Sequence, residues 1–282
     1  MYLSSENPKV QCFLQNTFTT APTTSMQKEL SQEPKISLRN SNHGCRENKA
    51  YESRMSLKLP ISLIVPCKNE AGNIGRCLNS VPWVDETFVV DSQSTDRTGE
   101  IAESLGAKVV QFHYEGGWPK KKNWALENLP FSHEWVLILD ADECLPPETE
   151  EEIREIVQNP QDSNVGYWIN RRYFFMGRPL RHAYFPNWNL RLFKHRLGRY
   201  EKITEDDTGS GDHEIHEHIV VKGTTGKLRS IMDHHAFPTI ESFVEKHNRY
   251  SNWEAVVEST CKDDPHSLQN DQVKGKRRLR RI

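Results

Sequence analysis

The chain has 282 residues, 35% of them hydrophobic, which is enough to bury a substantial core, and its formal charge of -2 gives no bulk attraction to nucleic acid. Charge is nevertheless uneven: residues 143–155 are strongly acidic, and six of the eight residues in KGKRRLRR (274–281) are basic. No run approaches the ~18 apolar residues of a membrane span, no basic-then-apolar opening resembles a signal peptide, and the six cysteines (12, 45, 67, 77, 144, 261) form no CxxC pair, so a cytoplasmic protein with reduced thiols is expected.

Residues 1–54 include 21 Ser, Thr, Asn or Gln and little apolar periodicity, a composition that cannot offset the entropy of ordering, and a disordered leader is expected there. From Leu59 the pattern changes. ISLIVP (61–66) is a continuous apolar run, and Ile74, Cys77, Leu78 and Val81 then follow at helical spacing. A second buried strand is expected at 86–91, a helix at 94–106 ending on glycine, a third strand at 107–112, a helix at about 119–128 and a fourth strand in EWVLILD (134–140). Strands that alternate with helices and are apolar on both faces predict a parallel sheet covered on each side. An acidic helix (146–157) leads into strand-like segments at 166–175, 189–194, 216–221 and 227–237, and a last helix at 239–258 sets Ile240, Phe243, Val244 and His247 on one face.

Functional side chains of such sheets collect at the carboxyl ends of the strands. Residues 66–70, 91–96 and 140–143 all fall at such ends. WVLILDADE (135–143) drives an apolar strand into the core and then sets Asp140, Asp142 and Glu143 together at its mouth. Carboxylates so crowded resist ionising together unless a cation or a ring of donors holds them. Asp140 and Asp142, two apart, can converge on one ligand, and oxygen donors on a short loop suit Mg²⁺ or Mn²⁺ that also takes substrate phosphate oxygens. The bland reading of the same residues is a solvated loop opening the acidic helix. Asp91 ends the second strand and could accept from a base or ribose, whereas Ser94, Thr95 or Asp96 suits a helix cap. In GGWPKKKNWAL (116–126) three lysines stand at a helix start, where positive charge and free N–H groups favour a diphosphate; Lys122 is the residue deepest in the helix, and a solvated basic turn is the alternative.

The ordered set ISLIVPCKNE, VVDSQSTD, the lysine helix and LILDADE resembles family 2 glycosyltransferases with the GT-A fold. The downstream IHEHIVV, DHHAF and EKHNRYSNWEA are similar to the bacterial branch that contains the lipopolysaccharide-core β-glucosyltransferases. The resemblance covers about 59–258 and implies a GT-A α/β domain at 55–260, with a nucleotide-sugar half (55–145) and a β-rich acceptor half (146–260), followed by a basic tail (261–282). It further implies that Pro66, Asn69, Glu70 and Asp91 hold the nucleotide base, that Asp140 lies near the ribose, that Lys122 steadies the phosphates, and that Asp142 and His234 bind the metal. Cys67 after Pro66 departs from the usual pattern.

Inverting transfer requires a carboxylate base for the acceptor hydroxyl. Glu217 matches the family's His-Glu position, and Asp206 in TEDD is its rival, followed by a flexible Gly-rich stretch that holds a base less firmly. The resulting expectation is transfer of a sugar, glucose by resemblance, from a UDP-sugar to a glycan or glycolipid acceptor, with the basic tail available to an anionic membrane surface. A sugar-phosphate nucleotidyltransferase and a non-catalytic nucleotide-sugar-binding protein are the alternatives. The first normally carries a Gly-rich phosphate loop, which PCKNEAGN is not.

Overall fold

A computed structural model describes residues 57–201 and 218–260. The expected leader, the basic tail, Glu217 and Asp206 lie outside the described residues. The strands are β1 (Leu59–Cys67), β2 (Val84–Asp91), β3 (Lys108–Gln111), β4 (Trp135–Ile138), β5 (Glu143–Cys144), β6 (Gly166–Phe175), β7 (Arg178–Pro179), β8 (Trp188–Lys194), β9 (Gly198–Tyr200), β10 (Ile219–Val221) and β11 (Thr225–Phe237). The helices are α1 (Ile74–Asn79), α2 (Thr98–Ser104), α3 (Lys121–Asn128), α4 (Glu148–Val157) and α5 (Ile240–Thr260).

Nine strands form one mixed sheet in the order β3-β2-β1-β4-β8-β6-β11-β5, with β7 pairing off β6. The first four are mutually parallel. β8 then runs antiparallel to both β4 and β6, β11 runs parallel to β6, and β5 closes antiparallel on β11. This is the α/β architecture that the resemblance implies, a parallel half followed by a β-rich one, and β9 and β10 form a separate two-stranded ribbon.

The continuous apolar run of β1 follows from burial on both faces. Leu59, Ile61, Leu63 and Val65 pack with Ile74, Cys77 and Leu78 of α1 and Ile153 of α4, whereas Ile64 faces the opposite core with Phe88, Val136 and Ala125 and Leu126 of α3. Strand period 2 therefore feeds two cores from one sequence. Helices α1 and α2 are shorter than expected, because the polar residues before each are spent joining loops.

The last helix differs from expectation in which face it buries. Phe243 packs on Phe237 and Phe175 at ring-centroid distances of 5.0 and 5.4 Å, and His247 stacks on Phe243 at 4.0 Å, but Ile240 and Val244 stand exposed.

Candidate active site

Register brings the three expected polar clusters together. Cys67 at the end of β1 lies opposite Asp91 at the end of β2, the Ser92 N–H donates to the Cys67 carbonyl (3.0 Å), and the Leu139 N–H beyond β4 donates to the Ile64 carbonyl (3.1 Å). The loop after β1 is stitched to the loop after β2. Asn69, held at φ 55°, donates its N–H to Ser94 Oγ (2.8 Å) and accepts the Thr95 N–H on Oδ1 (2.8 Å), while the Glu70 N–H donates to Thr98 Oγ1 (2.8 Å). Pro66 sits within β1 opposite Val90.

Asp91 is buried, and its carboxylate accepts the Ser94 N–H (3.1 Å), the Ser94 hydroxyl (2.5 Å) and Gln111 Nε2 (3.0 Å). It thus pins the turn that follows it, while Asp96, one of the expected helix-cap residues, accepts the Thr98 N–H at the start of α2 (3.0 Å).

Each of the three crowded carboxylates after β4 has cations of the chain itself beside it. Asp140 accepts from Lys122 Nζ (2.8 Å) and Arg191 Nη2 (2.6 Å). Glu143, with no solvent exposure, accepts from Arg171 (2.9 Å) and Arg191 (2.5 Å), and takes the Asp140 N–H (2.9 Å). Asp142 Oδ2 lies 3.1 Å from His234 Nε2 and 3.6 Å from Lys246 Nζ. Burial alone would raise the Asp142 carboxyl, but His234 and Lys246 hold it well below the usual carboxylate range. Burial would likewise lower Lys122, yet the neighbouring Asp140 raises it. Glu70 moves the other way: burial lifts its carboxyl, Asn73 opposes, and the Asp142 and Asp140 charges add to the rise. Of the two ways to tolerate crowded carboxylates, a ring of donors is the one built into the fold.

The lysine run is not a solvated turn. Lys120, Lys121 and Lys122 are all buried; Lys121 Nζ donates to the Cys67 carbonyl (2.9 Å) and Lys120 Nζ to the Tyr114 hydroxyl (2.5 Å). Lys122 reaches Asp140 of the cluster. Asn123 beside it accepts the Tyr200 N–H (3.0 Å) and donates to the Tyr200 carbonyl (2.9 Å), clamping α3 to β9.

Sequence reasoning missed Arg191, Arg171 and Lys246. Arginine in the middle of the apolar strand NLRLFK was a readable signal, because a buried guanidinium needs a carboxylate partner. Lys246 had no such mark, since an exposed helix carries lysines freely.

Among the described residues no group of three or more His, Cys, Asp or Glu is arranged to hold a metal. The pair Asp142 and His234 nonetheless fits part of such a site. Octahedral Mg²⁺ at ~2.1 Å from its ligands sets adjacent donors ~3 Å apart and normally keeps phosphate and water on its other positions. The 3.1 Å between Asp142 Oδ2 and His234 Nε2, an ion pair when the imidazole is protonated, matches that edge when it is neutral, and His234 Nδ1 is buried without a hydrogen-bond partner.

The profile of glycosyl transferase family 2 matches residues 62–212. The lipopolysaccharide core biosynthesis glycosyltransferase LpsC of Rhizobium meliloti is 31% identical over 208 residues, covering 70% of this chain and 71% of that one. An uncharacterized glycosyltransferase of Rickettsia typhi is 33% identical over 204 residues, covering 69% of this chain and 66% of its own length. The crystal structure of S. aureus TarS overlaps 49% of this chain and 29% of its own at a TM-score of 0.39 and 26% identity.

Proposed function

The chain belongs to glycosyl transferase family 2, and from that premise we propose that it transfers glucose from UDP-glucose, with inversion, to a glycan or glycolipid acceptor in the building of lipopolysaccharide or another cell-envelope polysaccharide. The observation that carries this reading is the convergence, at the carboxyl ends of β1, β2 and β4, of acidic loops with Lys122 and Arg191 on Asp140 and with His234 and Lys246 on Asp142. Such a site offers cationic side chains to a diphosphate, and a divalent cation would balance the charge that the diphosphate adds. The name of the Rhizobium meliloti relative supports the envelope acceptor.

In this reading Pro66, Asn69, Glu70 and Asp91 border the base, Asp140 the ribose, and Lys122 the phosphates. A Mg²⁺ or Mn²⁺ on Asp142 and His234 would supply positive charge to the leaving diphosphate. Glu217 takes the acceptor proton, with Asp206 as its rival. Support for Glu217 is its match to the family's His-Glu position.

The test is a thermal-shift panel of nucleotide sugars with and without Mn²⁺, where ligand at 100 times its dissociation constant adds ~2.7 kcal/mol. UDP-glucose is expected to give the largest, Mn²⁺-dependent shift; Asp142→Asn abolishes the Mn²⁺ dependence, while Glu217→Gln keeps the shift and slows transfer by ~100-fold. An unchanged Mn²⁺ response in Asp142→Asn would end the metal assignment, and normal turnover in Glu217→Gln alongside slow Asp206→Asn would exchange the two bases.

A further inference from the structure

Five of the seven large hydrophobic side chains exposed among the described residues lie on one face: Met176 (53%), Tyr184 (45%), Phe185 (37%), Ile240 (60%) and Val244 (47%). They are joined by local structure. β6 and β7 make a hairpin with Met176 and Gly177 at its tip, the Met176 N–H donates to the Phe237 carbonyl (2.8 Å) just ahead of α5, and the Tyr184 hydroxyl meets His247 Nε2 of α5 (3.1 Å). Clustering of this kind marks a contact surface, where scattered single residues would not. Met176 and Tyr184 also take positive φ, 49° and 58°. At Met176 the left-handed φ is what the two-residue turn with Gly177 requires, so it is the clustered exposure of these large side chains that points to a contact outside the fold.

Charge identifies the occupant. Residues 163–200 contain seven Arg and one Lys and no Asp or Glu. Arg171 and Arg191 are consumed by Glu143 and Asp140, and Arg172 by Asp233. Arg178 and Arg181, exposed beside Met176 and Tyr184, have no ion pair among the described residues. The acids of this face, Glu241 and Glu245, are on α5 and leave the segment 176–186 purely basic. Apolar and aromatic tips interleaved with arginine match the boundary of an anionic bilayer, where hydrocarbon and phosphate lie within a few ångströms of each other. A protein partner would need paired acids and a fitted apolar surface; the lipid surface needs neither.

We propose that the face made by the β6–β7 hairpin, residues 180–186 and the exposed edge of α5 docks on the anionic lipid headgroups of a membrane. The same α5 carries Lys246 to Asp142, and Tyr173 links the docking face to the site, with its ring centroid 5.9 Å from Phe237 and 4.7 Å from His234. Docking therefore turns the candidate site toward acceptors held in the bilayer. The purpose of docking rests on the glycolipid acceptor proposed above; the docking itself does not.

The experiment is co-sedimentation of the full chain with phosphatidylglycerol vesicles and with phosphatidylcholine vesicles, in parallel with UDP thermal shift. The wild type is expected to bind the anionic vesicles in a salt-sensitive way. Met176→Ser with Phe185→Ser, and separately Arg178→Gln with Arg181→Gln, weaken that binding by about tenfold or more at unchanged melting temperature and unchanged UDP shift. A chain lacking residues 274–282 separates the basic tail: the binding it retains is abolished by the same substitutions. Wild-type vesicle binding in both double variants overturns the proposal. So does a dimer in sedimentation velocity that Met176→Ser with Phe185→Ser dissociates while vesicles bind no protein, because the face then joins two copies. Loss of the UDP shift with vesicle binding intact would sink the transfer reading and leave docking standing.

Discussion

Arg191 holds two carboxylates with one nitrogen, at 2.6 Å from Asp140 and 2.5 Å from Glu143, in a place almost without solvent. Removing one partner of such a group strands the others, so Arg191→Met is expected to cost about 3–5 kcal/mol in urea unfolding, well above the cost of truncating an exposed arginine such as Arg178. Cys67 gives a pH signature. Burial, with Asp91 beside it, pushes the thiol from 9.0 up to about 12. The folded state then keeps a proton that the unfolded chain has released, so stability is unaffected below pH 9 and falls as pH rises from 9 toward 12; Cys67→Ala should flatten that slope in urea melts repeated across the range. At this scale the sequence was legible where a residue type was out of keeping with its surroundings. Three carboxylates after an apolar strand demanded positive partners, and those partners exist. Lys122 and His234 stood in the motifs and Arg191 was readable from its apolar strand, whereas Arg171 and Lys246 reach Glu143 and Asp142 from 28 and 104 residues away, and spacing carries no trace of that.

Helix α3 shows how much an element depends on what it touches. The lysines at its start read as a diphosphate site, with a solvated basic turn as the alternative, and they are buried with the end of β1, Tyr114 and Asp140 each offering an oxygen. The Asn123 clamp on Tyr200 reproduces the two-bond exchange of neighbouring strands with a side chain in place of a strand. Asn123→Ala should lower stability by about 2–3 kcal/mol, the scale of two buried hydrogen bonds, and carry Lys122 away from Asp140, which a weakened UDP shift would report. Strand existence was read well wherever apolar runs were long, as in β1, β2, β6 and β11, and helix starts were read too early because polar loop residues look like caps. The inward face of α5 could not be fixed by periodicity, since Ile240, Phe243, Val244 and His247 form one stripe and only the position of Phe237 and Phe175 decides which part of it is covered.

Across the whole described fold, the two halves that the resemblance implies, 55–145 and 146–260, share one sheet. β4 of the first part is flanked by β8 of the second, and β5, which follows β4 by four residues, pairs only with β11. Residues 55–145 expressed alone would expose one edge of β4 and leave Glu143 without Arg171 and Arg191, so that fragment is expected to show no cooperative unfolding transition, whereas residues 55–260 show a single one; circular dichroism melts of the two distinguish the cases.

The pairing of β5 with β11 also sets a time at which the site comes into being. Glu143 lies opposite His234, and the His235 N–H donates to the Asp142 carbonyl at 2.9 Å, so residues made early in synthesis wait for some ninety more before their partners exist. A growing chain emerges at ~5–20 residues per second, which makes that wait several seconds long. During it Asp142 has neither His234 nor Lys246 and Glu143 neither Arg171 nor Arg191, whereas Lys122, made earlier, already exists for Asp140. The full set of ion pairs around these carboxylates is therefore completed only after Phe237 and the first turns of α5 have cleared the ribosome.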